Sequence, residues 1–137
     1  AMYFADEALV VTNPEVSSVR DSDRILGMLA SKTRRAVQNL PPIKEYLLLT
    51  RYIDKRVDRG DMLSAKDVGE ILAIPMLGII PESTTILQAS NAGIPITLDN
   101  NSEAGIAYLE VVARFLGEEP PERPKKSIFT KIFGNKN

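Results

Sequence analysis

The 137-residue chain is 44% hydrophobic and 26% charged, the balance of one globular domain with a real core, which excludes a wholly disordered segment. Its formal net charge of -1 and isoelectric point near 5.5 exclude a general nucleic-acid binder, which needs a basic excess to neutralise phosphates. Neither cysteine nor histidine is present, which excludes disulfides, thiolate metal sites and imidazole ligands or bases.

Residues 1–6 read as the last turn of a helix whose beginning is absent, so the chain is expected to be truncated. The apolar run Ala8-Leu9-Val10-Val11 then gives a first strand. Residues 46–52, Tyr-Leu-Leu-Leu-Thr-Arg-Tyr, form a longer apolar run without alternation, which suits a strand buried on both faces. This is the expected central strand of a parallel sheet. Met76-Leu77-Gly78-Ile79-Ile80 repeats the design. The three runs pass into Thr12-Asn13-Pro14-Glu15, Thr50-Arg51-Tyr52 and Pro81-Glu82-Ser83. In open α/β sheets ligands lie beyond the carboxyl ends of the strands, so three polar ends in step suggest one polar rim. The pattern alone leaves open that each strand simply ends in a turn.

Between the strands, Ser18 and Asp21 have capping-box spacing, so a helix is expected to start at 17 or 18. Ile25, Leu26, Met28 and Leu29 form its apolar stripe, and Arg20, Asp21, Asp23, Arg24 and Lys32 its wet face. Lys32, Arg34 and Arg35 would oppose the helix dipole before Leu40-Pro41-Pro42 stops the helix. Residues 54–61 read as a polar loop. Ser64 and Asp67 make a second capping box, with Leu63 and Val68 placed as a hydrophobic staple and Val68, Ile71 and Leu72 as the buried side. Ser83 or Thr84 caps a short helix that Gly93 ends. Residues 94–98, interrupted by Pro95, are at most an edge strand. After Asp99-Asn100-Asn101-Ser102, the residues Ala104, Ala107, Tyr108, Val111, Val112 and Phe115 define the clearest helix, ending at Gly117. Strand and helix alternate without an internal repeat, so residues 1–117 form an α/β domain.

Three prolines in residues 118–124 favour an extended, semi-rigid spacer, and residues 125–137 read as a separate element. At about 100° per residue, Ile128, Phe129, Ile132 and Phe133 cover roughly 140° of a helix. Lys125, Lys126, Lys131 and Lys136 flank them. Such a segment suits a membrane interface, where each lysine gains about 1 kcal/mol from anionic headgroups. A helix of about ten residues is marginal in water, so the tail is expected to fold only on lipid. One copy should bind weakly, and two copies on a dimer should bind through effective concentration. The bland alternative is a tail that packs back on its own domain, against which the proline spacer stands.

The runs Phe4-Ala5-Asp6-Glu7-Ala8, Thr12-Asn13-Pro14-Glu15-Val16-Ser17-Ser18-Val19-Arg20-Asp21-Ser22-Asp23-Arg24, Leu48-Leu49-Thr50-Arg51-Tyr52, Arg59-Gly60-Asp61-Met62-Leu63, Gly78-Ile79-Ile80-Pro81-Glu82 and Ala89-Ser90-Asn91, in this order, resemble the C-terminal half of the MinD family. That family comprises septum-site-determining ATPases of the deviant Walker A group. The resemblance implies part of a doubly wound, mostly parallel, P-loop NTPase-like sheet flanked by helices, with its N-terminal half missing. It implies ATP with Mg2+ in the intact protein, MinC- and MinE-type partners, an ATP-bound homodimer, and a bacterial cytoplasmic protein bound peripherally to the inner membrane. Residue by residue, it implies base contacts for Thr50, Arg51, Tyr52, Pro81, Glu82 and Ser83. It places Glu15 near the dimer interface and gives Asp21 and Asp23 to partner binding. Lys125, Lys126, Ile128, Phe129, Lys131, Ile132 and Phe133 correspond to the membrane-targeting sequence. Without the resemblance, Asp21 and Asp23 read as capping or solvated residues.

The family's phosphate-binding loop has no counterpart here, and the chain contains no Gly-Lys pair. The resemblance therefore implies no catalytic or metal-binding residue within this chain, no tight nucleotide binding by it alone, and no ATP hydrolysis by it alone. Two other readings stay open: a short, non-enzymatic, membrane-tethered adaptor, and a related ATPase that positions plasmids or flagella.

Overall fold

In a computed structural model, residues 2–123 are described. Strands β1 (Glu7–Thr12), β2 (Lys44–Tyr52) and β3 (Met76–Pro81) form one parallel sheet in the order β1-β2-β3. The run expected at the centre is central among the three. Glu7 pairs with Lys44 and Thr12 with Leu49 on one side; Leu48 pairs with Gly78 and Leu49 with Ile79 on the other.

Successive strand residues point to opposite faces. Leu47 and Leu49 are fully buried with Val10, Val19, Leu26, Leu29, Val68 and Leu72, under helices α1 (Val16–Lys32) and α4 (Ala65–Leu72). Leu48 faces the other way and packs with Leu77, Ile80, Ala107 and Val111, under helix α6 (Glu103–Leu116). Both faces of β2 are covered, which is why its sequence does not alternate. Cover on β1 is one-sided: Val10 and Thr12 are buried, whereas Leu9 and Val11 are 44% and 56% exposed. The α6 helix lies on β3 so closely that a Cβ at Gly78 would stand 2.6 Å from Val111 Cγ2.

Several local expectations are met. Ser64 and Asp67 form the reciprocal capping box, Ser83 caps α5 (Thr84–Ala92), and Gly93 and Gly117 end their helices in the left-handed region. Others are corrected. The α1 helix begins at Val16, with Glu15 at the cap and no side-chain cap bond. The Asn13–Pro14 turn, closed by Glu15 N–H donating to Asn13 O at 2.8 Å, leads into helical geometry before Ser18 is reached. The same helix ends at Lys32, because Thr33 is extended; its hydroxyl donates to Leu29 O (2.9 Å) and accepts from Ala36 N–H. Arg34 and Arg35 belong to a separate turn, α2 (Arg34–Val37), and pair with Asp6 at 3.7 and 2.8 Å instead of serving the α1 dipole. The expected loop at 54–61 contains helix α3 (Asp54–Asp58). Residues Ile96–Leu98 form a 3-10 turn, as Pro95 removes a ladder donor, and Met2–Phe4 form another. Ile71 and Val112 are exposed, and Phe115 is 44% exposed although its ring meets Tyr46 of β2 edge-on at 5.7 Å. The spacer is described as far as Arg123, and the predicted tail at 125–137 lies outside the described residues. Among the described residues no helix is long and apolar enough to cross a membrane.

Candidate functional site

The carboxyl ends of β2 and β3 do not run in simple register. Leu49 pairs with Ile79 and Tyr52 with Pro81, so three steps along β2 match two along β3. The extra residue is accommodated at Arg51, which has a φ of 57°, a left-handed conformation that disfavours side chains other than glycine, asparagine and aspartate. The surroundings hold it there. Arg51 Nε donates to Glu82 Oε2 at 2.8 Å, and Glu82 N–H donates to Tyr52 O at 2.9 Å. The Glu82 hydrogen bond, followed by its charge, raises the Arg51 pKa above its ordinary value, with a smaller contribution from Glu15. A residue from the start of α1, one from the end of β2 and one from the exit of β3 thus share one electrostatic neighbourhood.

Beside this pair lies a concavity of about 420 Å³, lined by Thr50, Arg51, Pro81, Glu82 and Ser83, with Ile86, Leu87 and Tyr108 as an apolar wall. Five of the six expected base-contacting residues meet there. The sixth does not line it: Tyr52 turns to the opposite face, packs against the core with Val68 and Leu72, and accepts a hydrogen bond from Ala65 N–H at 3.3 Å. The inserted residue at Arg51 displaces Tyr52 from the site and makes it a tie between β2 and α4. The Thr50 hydroxyl donates to Thr12 O (3.3 Å), joining β2 to β1, and the Ser83 hydroxyl caps α5 by accepting from Thr85 N–H (3.2 Å). Ile86 and Tyr108 went unassigned in the sequence because apolar helix positions read equally well as core.

A second concavity, of about 660 Å³, lies along the free edge of β1, lined among others by Thr12, Asn13, Ser18 and Asp21. It shares Val11, Thr50 and Arg51 with the first. Glu15 stands at the α1 cap. Asp21 and Asp23 are both exposed on α1, but two helical steps place them about 200° apart, so they do not form one face. Asp21 pairs with Arg24 at 3.3 Å, both side chains being 72% exposed, a contact of little energetic weight.

The smaller concavity is of a size and polarity suited to the base end of a nucleotide: an apolar wall opposite a charged, hydrogen-bonding rim. The donor set does not fit phosphates or a divalent cation. Among the described residues no group of three or more acidic side chains is placed to hold a metal ion, and no glycine-rich anion cradle is present.

No family model matches the chain. Among curated proteins, the septum site-determining protein MinD of Escherichia coli strain K12 is 60% identical over 138 residues, covering 98% of this chain and 51% of that protein. The corresponding proteins of Buchnera aphidicola subsp. Schizaphis graminum and Neisseria meningitidis serogroup B are 59% and 55% identical over the same shares. The chain spans about half the length of the curated relatives it matches. Among solved structures, the MinC:MinD cell division protein complex of Aquifex aeolicus aligns with a TM-score of 0.73 at 38% identity, covering 88% of this chain and 46% of that one. MinD of Pyrococcus horikoshii complexed with Mg-ADP aligns at 0.64 and 22% identity over 80% and 41%, a likeness of fold alone. By sequence over nearly all its length and by its parallel sheet under helices, the chain belongs to the MinD family and corresponds to the C-terminal half of its members.

Proposed function

We propose that this chain is the base-recognition, partner-binding and membrane-targeting half of a MinD-type ATPase. With MinC- and MinE-type partners, the intact protein positions the division septum by ATP-dependent dimerisation and reversible binding to the cytoplasmic face of the inner membrane. The observation that carries this reading is the meeting of Thr50, Arg51, Pro81, Glu82 and Ser83 around one concavity at the strand ends, in a chain 60% identical to a MinD. The base lies against Ile86, Leu87 and Tyr108, while the Arg51–Glu82 pair closes one side; phosphates and Mg2+ belong to the half that carries the phosphate loop. Glu15, close enough to act on Arg51, lies where a second subunit approaches. The solved MinC:MinD complex, at 38% identity, supports a MinC-type partner, and a fold relative complexed with Mg-ADP supports the nucleotide. The tail supplies Ile128, Phe129, Ile132 and Phe133 as lipid anchors, with Lys125, Lys126 and Lys131 facing anionic headgroups.

The test is a chimera in which this chain replaces the corresponding half of the Escherichia coli relative. With ATP and Mg2+ it should sediment with vesicles containing anionic phospholipid, and without ATP it should stay in solution. Equal binding in both conditions would discard the ATP-switched reading and leave a lipid-bound adaptor.

A further inference from the structure

The α6 helix carries a carboxylate where its apolar stripe would place a core residue. Glu110 lies between Ala107 and Val111, both buried, and its own side chain is only 9% exposed. A charge that far from water needs partners. One comes from the same helix: Arg114 Nη2 stands 3.6 Å from Glu110 Oε2, while Arg114 Nη1 donates to Leu77 O on the free edge of β3 at 2.8 Å. The other comes from the spacer. Arg123 Nε donates to Oε1 at 2.6 Å and Nη2 to Oε2 at 2.9 Å, a two-pronged pair.

The chain reaches this position by reversing direction. Gly117, at a φ of 73°, turns it back, with Gly117 N–H donating to Arg114 O (3.2 Å) and Glu118 N–H to Ala113 O (2.8 Å). Residues 118–123 then run toward the N-terminal end of α6, so that Arg123 also feels the charge of Glu103, two turns before Glu110. The spacer is not a free tether from Gly117 onward.

We propose that Glu110 and Arg123 form a clasp that fixes the point from which the C-terminal tail leaves the domain and thereby sets the free length of its tether. With the clasp closed, the chain from Arg123 to Ile128 can reach at most about 18 Å. With it open, the chain from Gly117 to Ile128 can reach about 40 Å. Arg123 is a positioning residue: it acts on the tail through the backbone that it holds. The consequence for membranes rests on the function proposed above. Two tails on one dimer reinforce each other through effective concentration, which falls as the tether lengthens, so opening the clasp weakens paired binding several-fold.

The absence of cysteine permits unique double labelling of the full chain. Spin labels at Gln88→Cys on α5 and Ser127→Cys report how closely the tail is held. Glu110→Gln, which leaves the tail untouched, should broaden the distance distribution and extend it to longer distances, as a longer tether requires. Arg123→Gln, on the exposed spacer, should do the same, and Arg123→Lys should recover part of the narrowing. Identical distributions for the parent and both glutamine variants would overturn the clasp. The same samples are mixed with vesicles of phosphatidylglycerol and phosphatidylcholine. Broadening in the variants without vesicle binding by any chain would uphold the clasp and remove the membrane role of the tail.

Discussion

The close approach of α6 to β3 at Gly78 offers a quantitative test. Gly78→Ala adds one methyl to β3, and that methyl would stand 2.6 Å from Val111 Cγ2 and 3.2 Å from Arg114 Nη1. Ordinary contact needs about 3.5–4.0 Å, so roughly 1 Å must be found. Arg114 can move as a flexible end, but Val111 cannot turn away: a valine in a helix has one strongly preferred rotamer, and this one is buried against Leu48, Leu77 and Ile80. The substitution should therefore cost about 1–3 kcal/mol as overpacking. Val111→Ala alone removes two methyl groups and should cost about 2 kcal/mol. In the double variant the new methyl enters the space vacated by Cγ2, so the total should stay near 2 kcal/mol instead of the additive value of about 3–5. Urea unfolding followed by circular dichroism gives the three values, and the coupling is read from the cycle. An additive result would show that α6 does not rest on Gly78 as described.

Leu49→Ala, at a fully buried position on β2, should lower stability by about 2–5 kcal/mol in the same assay. Acid should destabilise the fold through two carboxyl groups. Hydrogen bonds from Ser64 hold the Asp67 pKa below its ordinary value, and the Arg123 hydrogen bonds do the same for Glu110. A folded pKa below the unfolded one means that this stability is present above the ordinary carboxyl range and is lost as pH falls through that range to the lowered values. Urea midpoints should thus drop on acidification, and less steeply in Glu110→Gln; a midpoint that rose toward acid would contradict the assignment. At Arg51 the positive φ predicts that glycine is tolerated by the fold and valine is not, measured as melting temperatures of the two variants. Replacing Ile128 and Phe129 by Glu should abolish binding to anionic vesicles, and unchanged binding would remove the tail from the account.

The sheet was legible because burial on both faces writes itself into composition: Leu47, Leu48 and Leu49 alternate between two cores, so none can be polar. The caps at Ser64 and Ser83 were legible because they depend on neighbours a few residues away. The break of α1 at Thr33 is local, made by bonds to Leu29 O and Ala36 N–H, and was masked by the cationic residues on either side, which suggested one continuous helix. Features decided by distant partners were hidden. The left-handed Arg51 is held by Glu82, thirty-one residues on, and this turns Tyr52 away from the rim that its position in the sequence suggested. Glu110 did carry a signal, a lone acid inside an apolar stripe, but its partner lies beyond a helix end and two prolines, where no periodicity points.

The central claim is that the strand-end concavity receives the base of a nucleotide. The most direct measurement is photolabelling of the chimera with 8-azidoadenosine triphosphate and Mg2+, followed by peptide mapping. The account predicts covalent label on the peptides that contain Thr50 and Arg51 or Pro81, Glu82 and Ser83, diminished by excess ATP and by Glu82→Ala. Efficient labelling confined to the half contributed by the Escherichia coli protein would contradict it.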